Sequence, residues 1–78
     1  MARYIELVKV SDVSREVVYA FDDDGRRGTA TVDRADGAVR VAGETDAEIP
    51  DGTTMRITIK LRQFWRDGSF PERGCWAS

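Results

Sequence analysis

Apolar and polar side chains alternate along Arg3-Tyr4-Ile5-Glu6-Leu7-Val8-Lys9-Val10, with several β-branched and aromatic residues among them. A period of two in such residues predicts a strand over 3–10. The pattern returns from Glu16 to Asp22, where Val17, Tyr19 and Phe21 share one face and Val18 and Ala20 the other. Ser11-Asp12-Val13-Ser14 lies between, and its short oxygen-bearing side chains can bond their own backbone, so the two strands form a hairpin. Asp22-Asp23-Asp24-Gly25 then closes the second strand. Three like charges and a glycine predict an exposed turn there. Thr29–Asp33 and Ala38–Ala42 predict a third and a fourth strand. They are joined by Asp33-Arg34-Ala35-Asp36-Gly37, a type I turn finished by a glycine able to take positive φ. Four strands in this order make an antiparallel meander.

Gly43 to Gly52 is acidic, polar and interrupted by Pro50, and predicts a connection. The stretch after it fits two templates. With period two, Met55, Ile57, Ile59 and Leu61 alternate with Arg56, Thr58, Lys60 and Arg62, as in a strand. At 100° per residue, Ile57, Leu61, Phe64 and Trp65 gather on one arc, as in a helix. Asp51 or Thr53 can cap its start, and Gly68 with Phe70-Pro71 can end it. The helix leaves Met55 and Ile59 among the bases on the solvent side. The strand leaves Phe64 and Trp65 on opposite faces. The residues themselves admit both an α+β fold and a small all-β barrel with 54–62 as a fifth strand.

The turn residues carry a resemblance. Gly28-Thr29, Asp33-Arg34-Ala35-Asp36-Gly37 and Gly68-Ser69-Phe70-Pro71-Glu72-Arg73-Gly74 are spaced through most of the chain. Together they resemble a set of small bacterial domains that place a strand pair, a Gly-Thr strand, a hairpin and a helix before Gly-x-Phe-Pro-Glu-x-Gly. Those domains end in an Ala-Trp-Tyr-like tail, whereas this chain ends Cys75-Trp76-Ala77-Ser78. The resemblance implies that 53–67 is helical and brings no activity with it. The expected architecture is therefore α+β: a four-stranded antiparallel meander with one C-terminal helix on one face, packed through Ile57, Leu61, Phe64 and Trp65. The tail from Phe70 to Trp76 runs back over an edge, and Trp76 docks over the sheet.

Seventy-eight residues predict one domain, 1–78, near the lower size at which a chain folds unaided. A single cysteine, Cys75, allows no internal disulfide and argues for a reducing compartment. With no apolar run long enough to span a bilayer and no signal-peptide layout at its start, the chain is expected to be cytoplasmic, with no membrane partner.

The sequence contains no histidine, which removes the commonest general base and metal ligand together. Cys75 lacks an evident activating base and reads as a small apolar residue. Asp22-Asp23-Asp24-Gly25 fails the calcium-loop spacing, because Thr31 stands where the bidentate glutamate belongs. No catalytic residue, cofactor or metal site is expected.

Charge is unevenly spread. Residues 12–51 hold eleven acids and five bases, a balance of −6, while 55–66 hold Arg56, Lys60, Arg62 and Arg66 with no acid, a balance of +4. Gly25-Arg26-Arg27-Gly28 offers a second, weaker phosphate grip beside the acidic triplet. The expected function is a protein-interaction or accessory module without catalytic activity, binding an unidentified protein or a second copy through Met55, Arg56, Ile59, Arg62 and Arg66. The alternative is a nucleic-acid-binding domain using the stripe Arg56, Lys60, Arg62 and Arg66. An overall charge of −2 weighs against that second reading.

Overall fold

The period-two pattern sorts the residues of β2 cleanly: Val17, Tyr19 and Phe21 are buried, while Val18 and Ala20 between them are only half covered. In the computed structural model, which describes residues 4–44 and 48–77, the elements run β1 (Tyr4–Asp12), β2 (Glu16–Asp23), β3 (Arg26–Asp33), β4 (Val39–Gly43), α1 (Asp51–Asp67) and β5 (Arg73–Ala77). Arg3, residues 45–47 of the expected connection, and Ser78 lie outside the described residues.

The fold is α+β. One open antiparallel sheet has the order β4-β3-β2-β1-β5, so the expected meander forms and no barrel closes. The helical template holds for the ambiguous stretch. Helix α1 lies on one face, touching β3, β4 and β5, and buries Thr53, Ile57 and Leu61. Beneath it sit Ile5, Leu7, Val17, Tyr19, Phe21, Ala30 and Val32, with Phe64, Trp65 and Trp76 packed partly buried around them. Burying an aliphatic side chain of this size contributes about 2 kcal/mol, so Ile57 and Leu61 supply much of what holds the two layers together.

Three local expectations need correction. The tail does more than lie on an edge: β5 pairs with β1 from Tyr4↔Ala77 to Val8↔Arg73 and becomes a fifth strand. The helix begins at Asp51, with Pro50 at the capping position and no side-chain cap bond there, so neither Asp51 nor Thr53 caps it. Proline suits this boundary because its fixed φ allows it to start a helix, and its carbonyl accepts the Thr54 amide at 3.1 Å. The acidic triplet is not wholly in an exposed turn either. Strand β2 runs on to Asp23, and the turn is Asp24-Gly25 alone, with φ of 54° and 90° as a two-residue hairpin loop requires.

Asp23 continues the face of Val17, Tyr19 and Phe21, which carries its carboxylate under the start of α1. It is 1% exposed, and Thr53 Oγ1 donates to its Oδ2. A buried carboxylate at a helix N-terminus meets the positive end of the helix dipole. This pair fixes the helix N-terminal end to the sheet.

The C-terminal end is fixed by glycine and carbonyl chemistry. Gly68 takes the left-handed conformation and donates to the carbonyls at the end of the helix, as its position in the sequence predicts. Beyond Ser69, three consecutive carbonyls are each captured: Phe70 O by Lys9 Nζ at 2.9 Å, Pro71 O by Tyr19 Oη at 2.6 Å, and Glu72 O by the Lys9 amide at 2.8 Å. At Gly74 a Cβ would lie 2.8 Å from the Phe64 ring, and at Gly37 one would lie 2.7 Å from Trp65. Both glycines let an aromatic ring of α1 approach the backbone. The turn around Gly37 forms as expected, with the Gly37 amide donating to Asp33 O at 2.9 Å.

Replacing Thr53 by valine keeps the shape but leaves the buried Asp23 carboxylate short of a donor. It should lower stability by about 1–3 kcal/mol in urea unfolding, without changing the slope of the transition.

Candidate functional site

On α1 the residues opposite the buried Thr53–Ile57–Leu61 row form a second row: Met55, Ile59, Arg62 and Arg66, spaced four, three and four apart. That spacing holds a single stripe along a helix. Met55 is 56% exposed and Ile59 is 41% exposed, so two aliphatic side chains face outward with an arginine pair in line beyond them. Arg56 lies to one side. Four of the five residues singled out in the sequence therefore share one stripe of one helix, and Arg56 flanks it.

Their basic groups are not equally available. Arg62 Nη1 donates to Gly37 O at 3.2 Å, and its guanidinium lies 5.8 Å from the Trp65 ring centre. Lys60 lies 5.8 Å from the Phe64 ring centre. Arg56 folds back along the helix, with Nη1 2.8 Å from where a Cβ on Gly52 would stand. Arg66, in the last turn, is exposed and favourably placed at the negative end of the helix dipole. Among the described residues, none of the four bases forms an ion pair with a carboxylate.

The richest polar cluster lies elsewhere, where the turns before β2 and β4 meet the segment entering β5. Lys9 Nζ contacts Asp12 at 2.9 Å and Glu72 at 3.5 Å, and Asp12 also pairs with Arg34. A β-bulge makes this possible: Lys9 pairs with Tyr19 and Ser11 with Val18, so Val10 is the extra residue. Without it, Lys9 and Asp12 would point to opposite faces. Arg34 also donates to Val13 O at 2.9 Å, stacks 5.0 Å from Phe70, and receives the Trp65 indole N–H on its carbonyl at 2.9 Å. Hydrogen bonds from Lys9 and Arg34 hold the Asp12 carboxyl below its usual range. Burial, helped by the charges of Asp12 and Glu72, pushes the Tyr19 phenol up to about 12. An open cleft of about 620 Å³ adjoins this cluster, lined by Val13, Ser14, Arg15, Glu16, Asp33, Arg34 and Ala35. Its wall includes Arg34 and Val13, two of the groups that tie the turns together.

The remaining sequence candidates are dispersed. Asp22 accepts the Gly25 amide at 2.8 Å and Arg27 Nε at 3.1 Å, which lowers its carboxyl and occupies one of the two arginines of the expected phosphate grip, both of which lie in strand β3. Among the described residues no three Asp, Glu or Cys side chains gather as a metal would require. Cys75 is half-buried and pairs in register with Glu6, on the face away from the helix. Trp76 packs partly buried on the helix side. No helix among the described residues is long and apolar enough to cross a membrane.

One surface was missed in the sequence. Alternation sends Val8, Val18 and Ala20 to the face opposite α1, and the bulge adds Val10, which is 58% exposed. Among the described residues no second layer covers them. The signal was present in the assignment of Val18 and Ala20 to the second face of β2.

Compared with known proteins, the chain matches no family model, no curated protein and no solved structure.

Tyr19 has its folded pKa raised above the unfolded value of 10. Its contribution to stability is therefore intact below pH 10 and is lost as pH climbs from 10 to about 12. Chemical denaturation across that window should show a steep fall for the native chain and a shallower one for Tyr19→Phe.

Proposed function

We propose that the chain is a small protein-interaction or accessory module without catalytic activity, acting in the cytoplasm. Its outward helix stripe binds an acidic segment of a partner protein that carries apolar anchors. The observation that carries this reading is the exposure of Met55 and Ile59 in line with arginines that have no carboxylate partner among the described residues. Apolar side chains mixed with arginine are enriched at the centres of protein interfaces. A partner's carboxylates supply the counter-charge, and its apolar side chains cover the aliphatic pair.

Self-pairing through this stripe draws less support. An antiparallel helix pair centred between Ile59 and Arg62 would set Arg62 of each copy against Ile59 of the other and Arg66 against Met55, leaving four arginines along the seam with no acid of the stripe to balance them. The nucleic-acid reading also draws less. Arg62 is engaged at Gly37, Arg56 and Lys60 lie against the helix, and an aliphatic pair interrupts any track of phosphate contacts.

Ile59→Asp alters an exposed position and should leave the unfolding midpoint nearly unchanged. Affinity capture from the native host, followed by titration of the recovered partner's binding segment as a synthetic peptide, tests the reading. The expected segment is acidic, binds more weakly as salt rises, and is lost with Ile59→Asp. A segment without acidic residues, or one bound equally by Ile59→Asp, would overturn the proposal. Nucleic acid retained on filters by the native chain and released by Arg66→Glu would put the alternative in its place.

A further inference from the structure

The spacing of the outward row on α1 bears on the conformation of whatever covers it. We infer that the partner's segment docks as a helix antiparallel to α1, with acids in its first turns and aliphatic side chains in the turns that follow. This deepens the binding proposed above and rests on that reading. Met55, Ile59, Arg62 and Arg66 follow one another at intervals of four, three and four. Such intervals make a two-helix seam, in which one row meets its neighbour about every 3.5 residues. The row is a convex ridge about 16 Å long, and its backbone groups are bonded within the helix. An extended segment finds no backbone partner on such a ridge. A helix bonds its own backbone and repeats its side chains with the same rise. A second copy of α1 offers no acid to the arginines: Asp51 precedes the row by one turn, and Asp67 stands about 100° round from Arg66.

Direction follows from which end of the row carries charge. The aliphatic pair occupies its N-terminal half and the arginines its C-terminal half, with Arg66 in the last turn of α1. The segment's acids therefore lie beside the C-terminal end of α1. Carboxylates are stabilised near the start of a helix and destabilised near its end, so the segment's own N-terminus belongs there. The two helices then run antiparallel, with their dipoles opposed. In that seam Arg66, Arg62, Ile59 and Met55 meet, in turn, four side chains of the segment counted from its N-terminus. The intervals carry over, and the segment reads acid-x-x-x-acid-x-x-aliphatic-x-x-x-aliphatic. Arg62 meets its carboxylate already oriented, because Nη1 is held on Gly37 O at 3.2 Å and the guanidinium lies 5.8 Å from the Trp65 ring centre. A donor fixed beforehand loses less freedom on binding.

Two end-capped peptides of identical composition, on an alanine–glutamine helical background, test this against the full chain by fluorescence anisotropy. The first carries glutamate, glutamate, leucine and leucine at the four spaced positions, and the second carries leucine, leucine, glutamate and glutamate. The first should bind about tenfold more tightly, weaken as salt rises, and fail to bind the Ile59→Asp chain. Equal or tighter binding of the second would overturn the direction. Undiminished binding of the first peptide with a proline between its acids and its leucines would overturn the helical conformation. Charge exchange tests the register: Arg66→Glu should reject the first peptide and regain it when the first glutamate, and not the second, is replaced by lysine. Recovery at the second glutamate, or at neither, would overturn the seam. No binding of either peptide at millimolar concentration would overturn the inference as a whole. An acidic segment captured from the host and lost with Ile59→Asp would still uphold the reading beneath it, so the two failures are separately readable.

Discussion

Ile57 and Leu61 on one strip of helix, buried in a single cluster with Ile5, Leu7, Val17, Tyr19, Phe21, Ala30 and Val32 from three strands, form the core on which the rest of the structure depends. A sheet of this size cannot bury its apolar side by itself, and α1 is the one described helix available to cover it. Both ends of that helix are tied to the sheet by polar contacts made across long stretches of sequence. Asp23 holds the first turn through Thr53, and side chains of β1 and β2 hold the carbonyls that follow the last turn. Apolar burial supplies the attraction. The polar contacts at the two ends supply the angle and the register.

Much of this was legible in the sequence. The period-two runs gave four strands, the turn at Asp33–Gly37 gave the second hairpin, and Gly68 marked the end of the helix. What stayed ambiguous was 53–67, because Met-Arg-Ile-Thr-Ile-Lys-Leu-Arg satisfies both periods over eight residues. A helix alone places Phe64 and Trp65 near Ile57 and Leu61, but the perfect alternation of 55–62 balances that, and the expectation of a helix rests on the resemblance of the turn residues. The buried role of Asp23 was obscured by composition. Three consecutive aspartates read as solvated turn, yet extending the alternation of β2 by two residues beyond Phe21 puts the middle one on the core side. Strand β5 was hidden for a different reason. Arg73-Gly74-Cys75-Trp76-Ala77 has little strand propensity, and it pairs because β1 offers an open edge and Phe64 fits over Gly74.

The candidate surface was legible in outline and not in detail. Helical phase alone placed Met55, Ile59, Arg62 and Arg66 outward. It could not show that Arg62 bends to the Gly37 carbonyl, because that carbonyl belongs to a turn some twenty-five residues earlier. Glycine at that turn is what lets Trp65, and Arg62 above it, come so close. The two exposed surfaces also differ in character. The helix stripe carries positive charge with no ion-pair partner among the described residues, whereas the open face of the sheet carries both signs, with Arg27 held by Asp22 and Arg40 by Glu16.

The pairing of β5 with β1 has a kinetic consequence. Tyr4 lies against Ala77, so this ladder joins segments from opposite ends of the sequence, while each of the other three strand pairs is closed by a short turn or loop. Closing so long a loop is entropically the dearest of the four steps, and it gains its carbonyl anchors only once α1 has been laid down. Whenever β5 is undocked, the outer edge of β1 is bare, its amides and carbonyls open to any passing strand. Held by five residues and three anchored carbonyls, the terminal strand shields the seam through which neighbouring chains would otherwise exchange segments or coalesce.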